Sequence, residues 1–323
     1  MFWRALREED LTACLDIDAR HGGYELVGND RAIEGWRTMM RSCAFQSAVI
    51  ESDLAIGGHR IVGFGAAAFV SRAFADRELS NPRPGLNARV IASVASGESV
   101  VLDETQLRQA NTQGDLDLVV LYGQWRNDVL NAEQVLEAQT VLIAAFLEKH
   151  RGFRLHRILM EVVSEAEKSF YLDPGGIFRM VSEFPEFYAQ HPSTEWNRDR
   201  CLAVVTRQEA FQVTGHITGM LFQHREPALG LSDADRRLLE AALSGLTDEE
   251  LAGRLQIRLP SVKKRWRSII ERVSARADLF PGIWNGVDEG SRGRQKRHYV
   301  LAYVREHPEE LRPFVTKDRG SSA

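Results

Sequence analysis

Long hydrophobic runs are missing from this sequence. The longest apolar stretch, about Ile61 to Val70, is far too short to span a bilayer. Cysteine is scarce as well. Cys14, Cys43 and Cys201 are widely separated, with no CxxC or Cys/His metal spacing. That excludes a disulfide-stapled scaffold or a zinc ribbon and fits a reducing compartment. Neither sign of charge dominates: 41 Lys and Arg stand against 45 Asp and Glu, a net charge of −4. The chain as a whole therefore lacks the footprint of a nucleic-acid binder, and any basic patch must be local. Internal repeats and low-complexity tracts are absent too. The opening MFWRALREED is charged at once and has no signal-peptide core. A cytoplasmic protein without a membrane association is expected.

What remains is a chain of 323 residues with 44% hydrophobic content, ordinary for a globular protein and enough for two or three domains. From Trp3 to about Glu165, strand and helix signals alternate, which predicts a mixed α/β domain. Helices are expected over Glu8 to Ala19, Asp30 to Met40, Leu86 to Ser96 and Ala132 to His150. Strands are expected over Ser47 to Glu51, Arg60 to Val70, Leu116 to Tyr122 and Leu155 to Val163. The turn Ile56-Gly57-Gly58-His59 would join the first two strands as a hairpin. A helix over Ser164 to Tyr171 follows, and Pro174-Gly175-Gly176 then breaks the pattern. Beyond it, Cys201 to Thr206 reads as a strand and Gln208 to Leu221 is ambiguous. Near the end, Lys296 to Arg305 reads as a helix stopped by His307-Pro308. The expected division is residues 1–165, a connecting segment 166–230, a helical domain 231–276 and a one-helix tail 277–323.

The most informative stretch runs from Leu231 to Val273 and reads as three short helices. The first, Asp233 to Leu243, is closed by Gly245 as a left-handed cap. The second opens with the capping box Thr247 and Glu250, stapled by Leu246 and Leu251. The third opens at Pro260 and carries Val262, Trp266, Ile269, Ile270 and Val273 on one face. Its outer face carries Lys263, Lys264, Arg265, Arg267 and Arg272. A tight turn followed by a basic-faced helix is a wedge for the major groove. A basic helix face is often only a solvated one, so the reading rests on grammar and charge together. Asp248, Glu249 and Glu250 suit the positive end of the second helix and should point away from phosphate.

These residues resemble the helix-turn-helix of LuxR-type (GerE-like) regulators. The pattern is Leu231-Ser232, Leu238-Leu239, Gly245-Leu246-Thr247, Glu250-Leu251-Ala252, Leu255, Ile257 and Ser261-Val262-Lys263. Two departures stand out. Gln256 occupies a turn position where that family has glycine, and Arg258 or Leu259 stands where it has a serine cap. Each costs about 1 kcal/mol. The resemblance implies binding of double-stranded DNA as a homodimer, with Ser261, Lys263, Lys264, Arg265 and Arg267 as contact residues. A cluster at Arg292, Arg294, Lys296, Arg297 and His298 either adds phosphate contacts or is a solvated helix start. No receiver-type phosphorylation motif is evident.

The opening FWRALREEDLTACLDID and the order of the predicted elements resemble a GCN5-related N-acetyltransferase. In that family acyl-CoA pyrophosphate sits on a glycine-bearing loop at a helix N-terminus. The corresponding stretch here, Tyr122-Gly123-Gln124-Trp125-Arg126-Asn127-Asp128, lacks those glycines after Gln124, and Asp128 has the wrong sign for phosphate. A degenerate domain that senses a small-molecule or protein effector, or dimerises, is therefore expected, with no catalytic residue, metal or cofactor. The rival reading is an acyl-CoA-dependent N-acyltransferase, with Glu161 as a candidate base. Glu161 is otherwise a solvated or paired strand residue. Trp36, Trp125 and Trp196 are either core or a ligand clamp. His150, His156, His216 and His224 have no metal-ligand spacing.

Overall fold

A computed structural model describes residues 1–19, 29–172, 178–192, 198–213, 218–279 and 293–315. The chain is mixed α/β and forms two compact units. One is Met1–His150 with Arg154–Phe222; the other is Arg151–Phe153 with Gln223–Ala323. The first unit thus takes in the predicted connecting segment up to Phe222, and the second takes in residues 231–276 together with the predicted tail.

In chain order the first unit carries β1 (Phe2–Arg4), α1 (Leu11–Ala19), α2 (Asn29–Met40), β2 (Phe45–Ile56) and β3 (His59–Val70). Next come α3 (Arg72–Ser80), α4 (Leu86–Ala95), α5 (Glu104–Gln113), β4 (Leu116–Trp125), α6 (Ala132–His150) and β5 (Leu155–Val162). The unit ends with α7 (Glu165–Tyr171), β6 (Arg179–Ser182), α8 (Pro185–Gln190), β7 (Cys201–Thr206), α9 (Arg207–Gln212) and α10 (Gly219–Phe222). The strands form one sheet in the order β1-β2-β3-β4-β5-β7-β6. β4 and β5 run parallel, and every other neighbouring pair is antiparallel. Gly57 and Gly58, both at positive φ, make the β2–β3 hairpin turn where the sequence puts it.

Two local features shape the sheet's centre. Pairing of β3 with β4 steps from Ala66↔Tyr122 to Ala67↔Val120, so Leu121 is an extra, bulged residue. Pairing of β4 with β5 ends at Val120↔Met160, and β4 beyond that point pairs with β3 alone. The two parallel strands therefore part and leave a wedge between them. On one face of the sheet Trp36, Phe45, Phe64 and Tyr122 form an aromatic cluster in the main core. Helix α6 covers the other face, where Ala138, Ile50 and Val62 are buried together.

Glu161 lies on the wall of the wedge and is committed to structure. Its carboxylate accepts from the backbone N–H of Gly85 at 2.8 Å and of Leu86 at 2.7 Å, at the positive end of α4. Arg200 pairs with it at 3.1 Å, both side chains only 5% exposed. Of the two readings of Glu161, this is the paired one, and the charge it balances is buried. Other polar residues singled out in the sequence are similarly occupied. His156 lies 2.9 Å from the buried carboxylate of Asp117, and His150 Nδ1 lies 2.8 Å from the Phe146 carbonyl. Trp36 is fully buried core. His216, Trp196 and Pro174-Gly175-Gly176 lie outside the described residues.

The second unit carries α11 (Asp233–Ala242), α12 (Asp248–Arg254), α13 (Leu259–Ser274) and α14 (Gly293–Glu306), followed by a 3-10 turn over Pro308–Leu311. Its core joins Leu238, Leu239, Leu251, Val262, Trp266 and Ile269 with Val300 and Val304 of α14. The C-terminal helix is thus part of the helical domain. Among the described residues no helix is long and apolar enough to cross a membrane.

Glu161→Ala should destabilise the first unit by about 3–5 kcal/mol, because it removes the buried carboxylate that pairs with Arg200 and accepts from the Gly85 and Leu86 N–H groups. Urea unfolding of the full chain measures this, and a loss below about 1 kcal/mol would mean that Arg200 reaches solvent.

Candidate nucleic-acid interface

Sequence grammar builds this site one cap at a time. Ser232 accepts from the Asp235 N–H, and the Asp235 carboxylate returns to the Ser232 N–H, which starts α11. Gly245, at φ 76°, follows the end of α11. Thr247 and Glu250 close the same reciprocal box on α12, with the Thr247 N–H 2.7 Å from the Glu250 carboxylate. Those bonds stabilise the ionised form and hold the Glu250 carboxyl below its ordinary pKa.

The turn from α12 into α13 is a Schellman closure. The Ile257 N–H donates to the Ala252 carbonyl at 3.0 Å and the Gln256 N–H to the Gly253 carbonyl at 3.2 Å. This geometry needs a left-handed residue, and Gln256 supplies it at φ 52° without the freedom of glycine. The strain expected at that position is therefore present. Arg258 is the N-cap residue of α13 and offers no side-chain cap, also as expected.

Helix α13 then has two opposed faces. Val262, Trp266, Ile269 and Val273 are buried, at a spacing of three and four residues. Lys263, Lys264 and Arg267 are exposed on the other side, and no described residue forms an ion pair with them. Ser261 is exposed in the first turn. Arg265 is half-buried and reaches back towards the Ala234 carbonyl of α11 at 3.5 Å, so it sits on the flank. Arg272 donates to the Gly230 carbonyl at 2.9 Å. Of the basic residues assigned to one outer face, the free cations are those of the first two to three turns. Glu271, exposed one turn beyond Arg267, ends the positive stripe.

Two exposed cations here did not figure among the contact candidates. Arg254 at the end of α12 and Arg258 at the start of α13 flank the turn. Their position beside the turn between α12 and α13 was the available signal. The second basic cluster behaves differently from a phosphate clamp. Arg297 lays its guanidinium 4.8 Å above the Trp266 ring and bonds the Asp248 carboxylate at 2.8 Å. One residue of α14 thereby holds the back of α13 and the start of α12 together. His298 is exposed, Lys296 is half-buried, and Arg292 and the Arg294 side chain lie outside the described residues.

The first unit offers less to an anionic cofactor. At the head of α6 the Gln134 N–H already donates to the Asn131 side chain at 2.9 Å. Arg126 is buried and pairs with Asp16 and Asp128. On the Glu161 side the wedge between β4 and β5 encloses about 50 Å³, and a cavity of about 270 Å³ adjoins it on the α6 side. Among the described residues no group of three His, Cys, Asp or Glu side chains could hold a metal ion. No known protein family matches the chain, and neither a curated protein nor a solved structure matches it.

Trp266→Ala should cost the second unit about 3–5 kcal/mol, as a truncation in a packed core. It removes the platform under Arg297 as well. Chemical denaturation of the full chain gives the value, and a cost under about 1 kcal/mol would show that Trp266 does not hold α13 in place.

Proposed function

We propose that the chain is a DNA-binding transcriptional regulator of LuxR type, which reads the major groove of double-stranded DNA with α13. The observation that carries this reading is the opposition on that helix. An apolar face is buried in the domain core, while Lys263, Lys264 and Arg267 are exposed and form no ion pair among the described residues. A net charge of −4 makes such a bare local stripe informative. Lys263, Lys264 and Arg267 contact phosphate or base edges, arginine being well shaped for guanine. Ser261 and Arg265 support them from the flank. The protein acts in the cytoplasm as a homodimer on paired half-sites, and the first unit serves as its effector-sensing or dimerising part.

Binding selected from a random DNA pool, followed by gel shifts in rising salt, tests the reading. Replacing Lys263 and Lys264 by alanine should weaken binding and reduce the salt slope by about one unit per lost phosphate contact. A double variant that binds as tightly as the parent, with the same slope, would remove α13 from the interface.

The acyl-CoA-dependent N-acyltransferase is the second reading. The strand order, with its single parallel pair β4–β5 and the parting of those strands, favours an acetyltransferase-like first unit. Against catalysis stand the engaged Glu161 and the capped head of α6. Acetyl-CoA should accordingly produce no saturable rise in melting temperature of the full chain, whereas a ligand that binds only the folded state would raise it. A saturable rise would favour the enzyme.

A further inference from the structure

The first unit holds a cavity of about 270 Å³ on the α6 side of the sheet. Its floor is built from small side chains. Ala48 of β2 and Gly65 and Ala67 of β3 face α6, and Met160 of β5 closes one side. Leu142 and Phe146 of α6 form the roof, and Leu221 of α10 adds to the wall. Tyr171 and Phe178 meet edge to face at 5.9 Å on the far side. The void follows from the sequence: the run Gly65-Ala66-Ala67-Ala68 in β3 removes bulk where a strand usually supplies branched side chains.

Protein interiors are close-packed, and an apolar void forfeits the contacts of its lining atoms. A cavity of about 150 Å³ already accepts benzene, so this one has room for two joined rings or a ring with a short chain. The lining also restricts the ligand's charge. No Asp, Glu, Lys or Arg is among the described residues that line it. His150 lines it too, and an ionised molecule there would be desolvated with no carboxylate, ammonium or guanidinium against it among the described residues.

We propose that this cavity is a binding site for a small, uncharged, predominantly aromatic or aliphatic molecule. It adjoins the wedge between β4 and β5 on the α6 side of the sheet and shares Val120, Tyr122, Gly123, Met160 and Tyr171 with it. The site stands or falls without reference to DNA, and its test reads none.

The probe is N-phenyl-1-naphthylamine, a neutral bicyclic fluorophore, titrated into the full chain. The expected result is saturable, blue-shifted emission at one site per chain. Ala67→Leu and, separately, Ala48→Leu should each weaken that binding at least about tenfold by filling the void, while circular dichroism stays native and the melting temperature holds or rises. A charged congener supplies an arm that needs no variant: 1-anilinonaphthalene-8-sulfonate should bind at least about tenfold more weakly than the neutral probe. Absence of saturable binding to the parent overturns the proposal. Binding unchanged in both filled variants, or equal affinity for the sulfonate, overturns it as well.

Discussion

The helical unit depends on how Trp266 is held. Its ring packs among Val262, Ile269 and the α11 leucines and is roofed by the Arg297 guanidinium, which in turn is tied to Asp248. Aromatic burial fixes α13 against the domain, and the cation above it links three helices through one side chain. Charge on the outer side of α13 is useful only because this arrangement decides which side is outer. A rotation of about one residue, near 100°, would carry Lys263 into the buried place of Val262 and swing Trp266 out to the half-buried flank where Arg265 lies. The apolar half of the helix therefore specifies the position of the polar half.

Much of this unit was legible in the sequence because its signals are local. The capping box at Thr247, the glycine at 245 and the three-four spacing of Val262, Trp266, Ile269 and Val273 act over a few residues. Gln256 is instructive because a pattern, rather than a propensity, located it. The left-handed turn was expected from the flanking motif, and the backbone adopts it despite a side chain that resists it. Position was less legible than identity. Arg265 and Arg272 share the charge of Lys263, but their places around the helix bring them within reach of backbone carbonyls. The role of Arg297 depends on α14 folding back across a long separation, which no local pattern encodes.

In the first unit the long strands and α6 were readable from apolar periodicity, while α3 and α5 were not anticipated. Helix α5, ETQLRQANTQ, buries only Leu107 and Asn111. An amphipathic signal that thin disappears beside the stronger strands. Its capping box, Asp103 with Gln106, and its terminal Gly114 at φ 80° were the cues that mattered. The short strand β6 is likewise defined by its partner β7 rather than by its own four residues. Glu161 shows the same limit for chemistry: a carboxylate on a strand reads as a possible base until its distant partners, Gly85, Leu86 and Arg200, are in place.

The extra residue at Leu121 has a consequence for everything beyond it on β4. A strand presents its side chains alternately to opposite faces, yet Leu121 and Tyr122 both enter the same aromatic core. The insertion thus reverses parity at mid-strand. Tyr122 gains its place against Trp36 and Phe64, and Trp125 turns to the α6 side with Ala138 and Leu142. Smoothing out the bulge with every residue kept would turn the far half of the strand over like a page, trading its two aromatic rings between the sheet's faces.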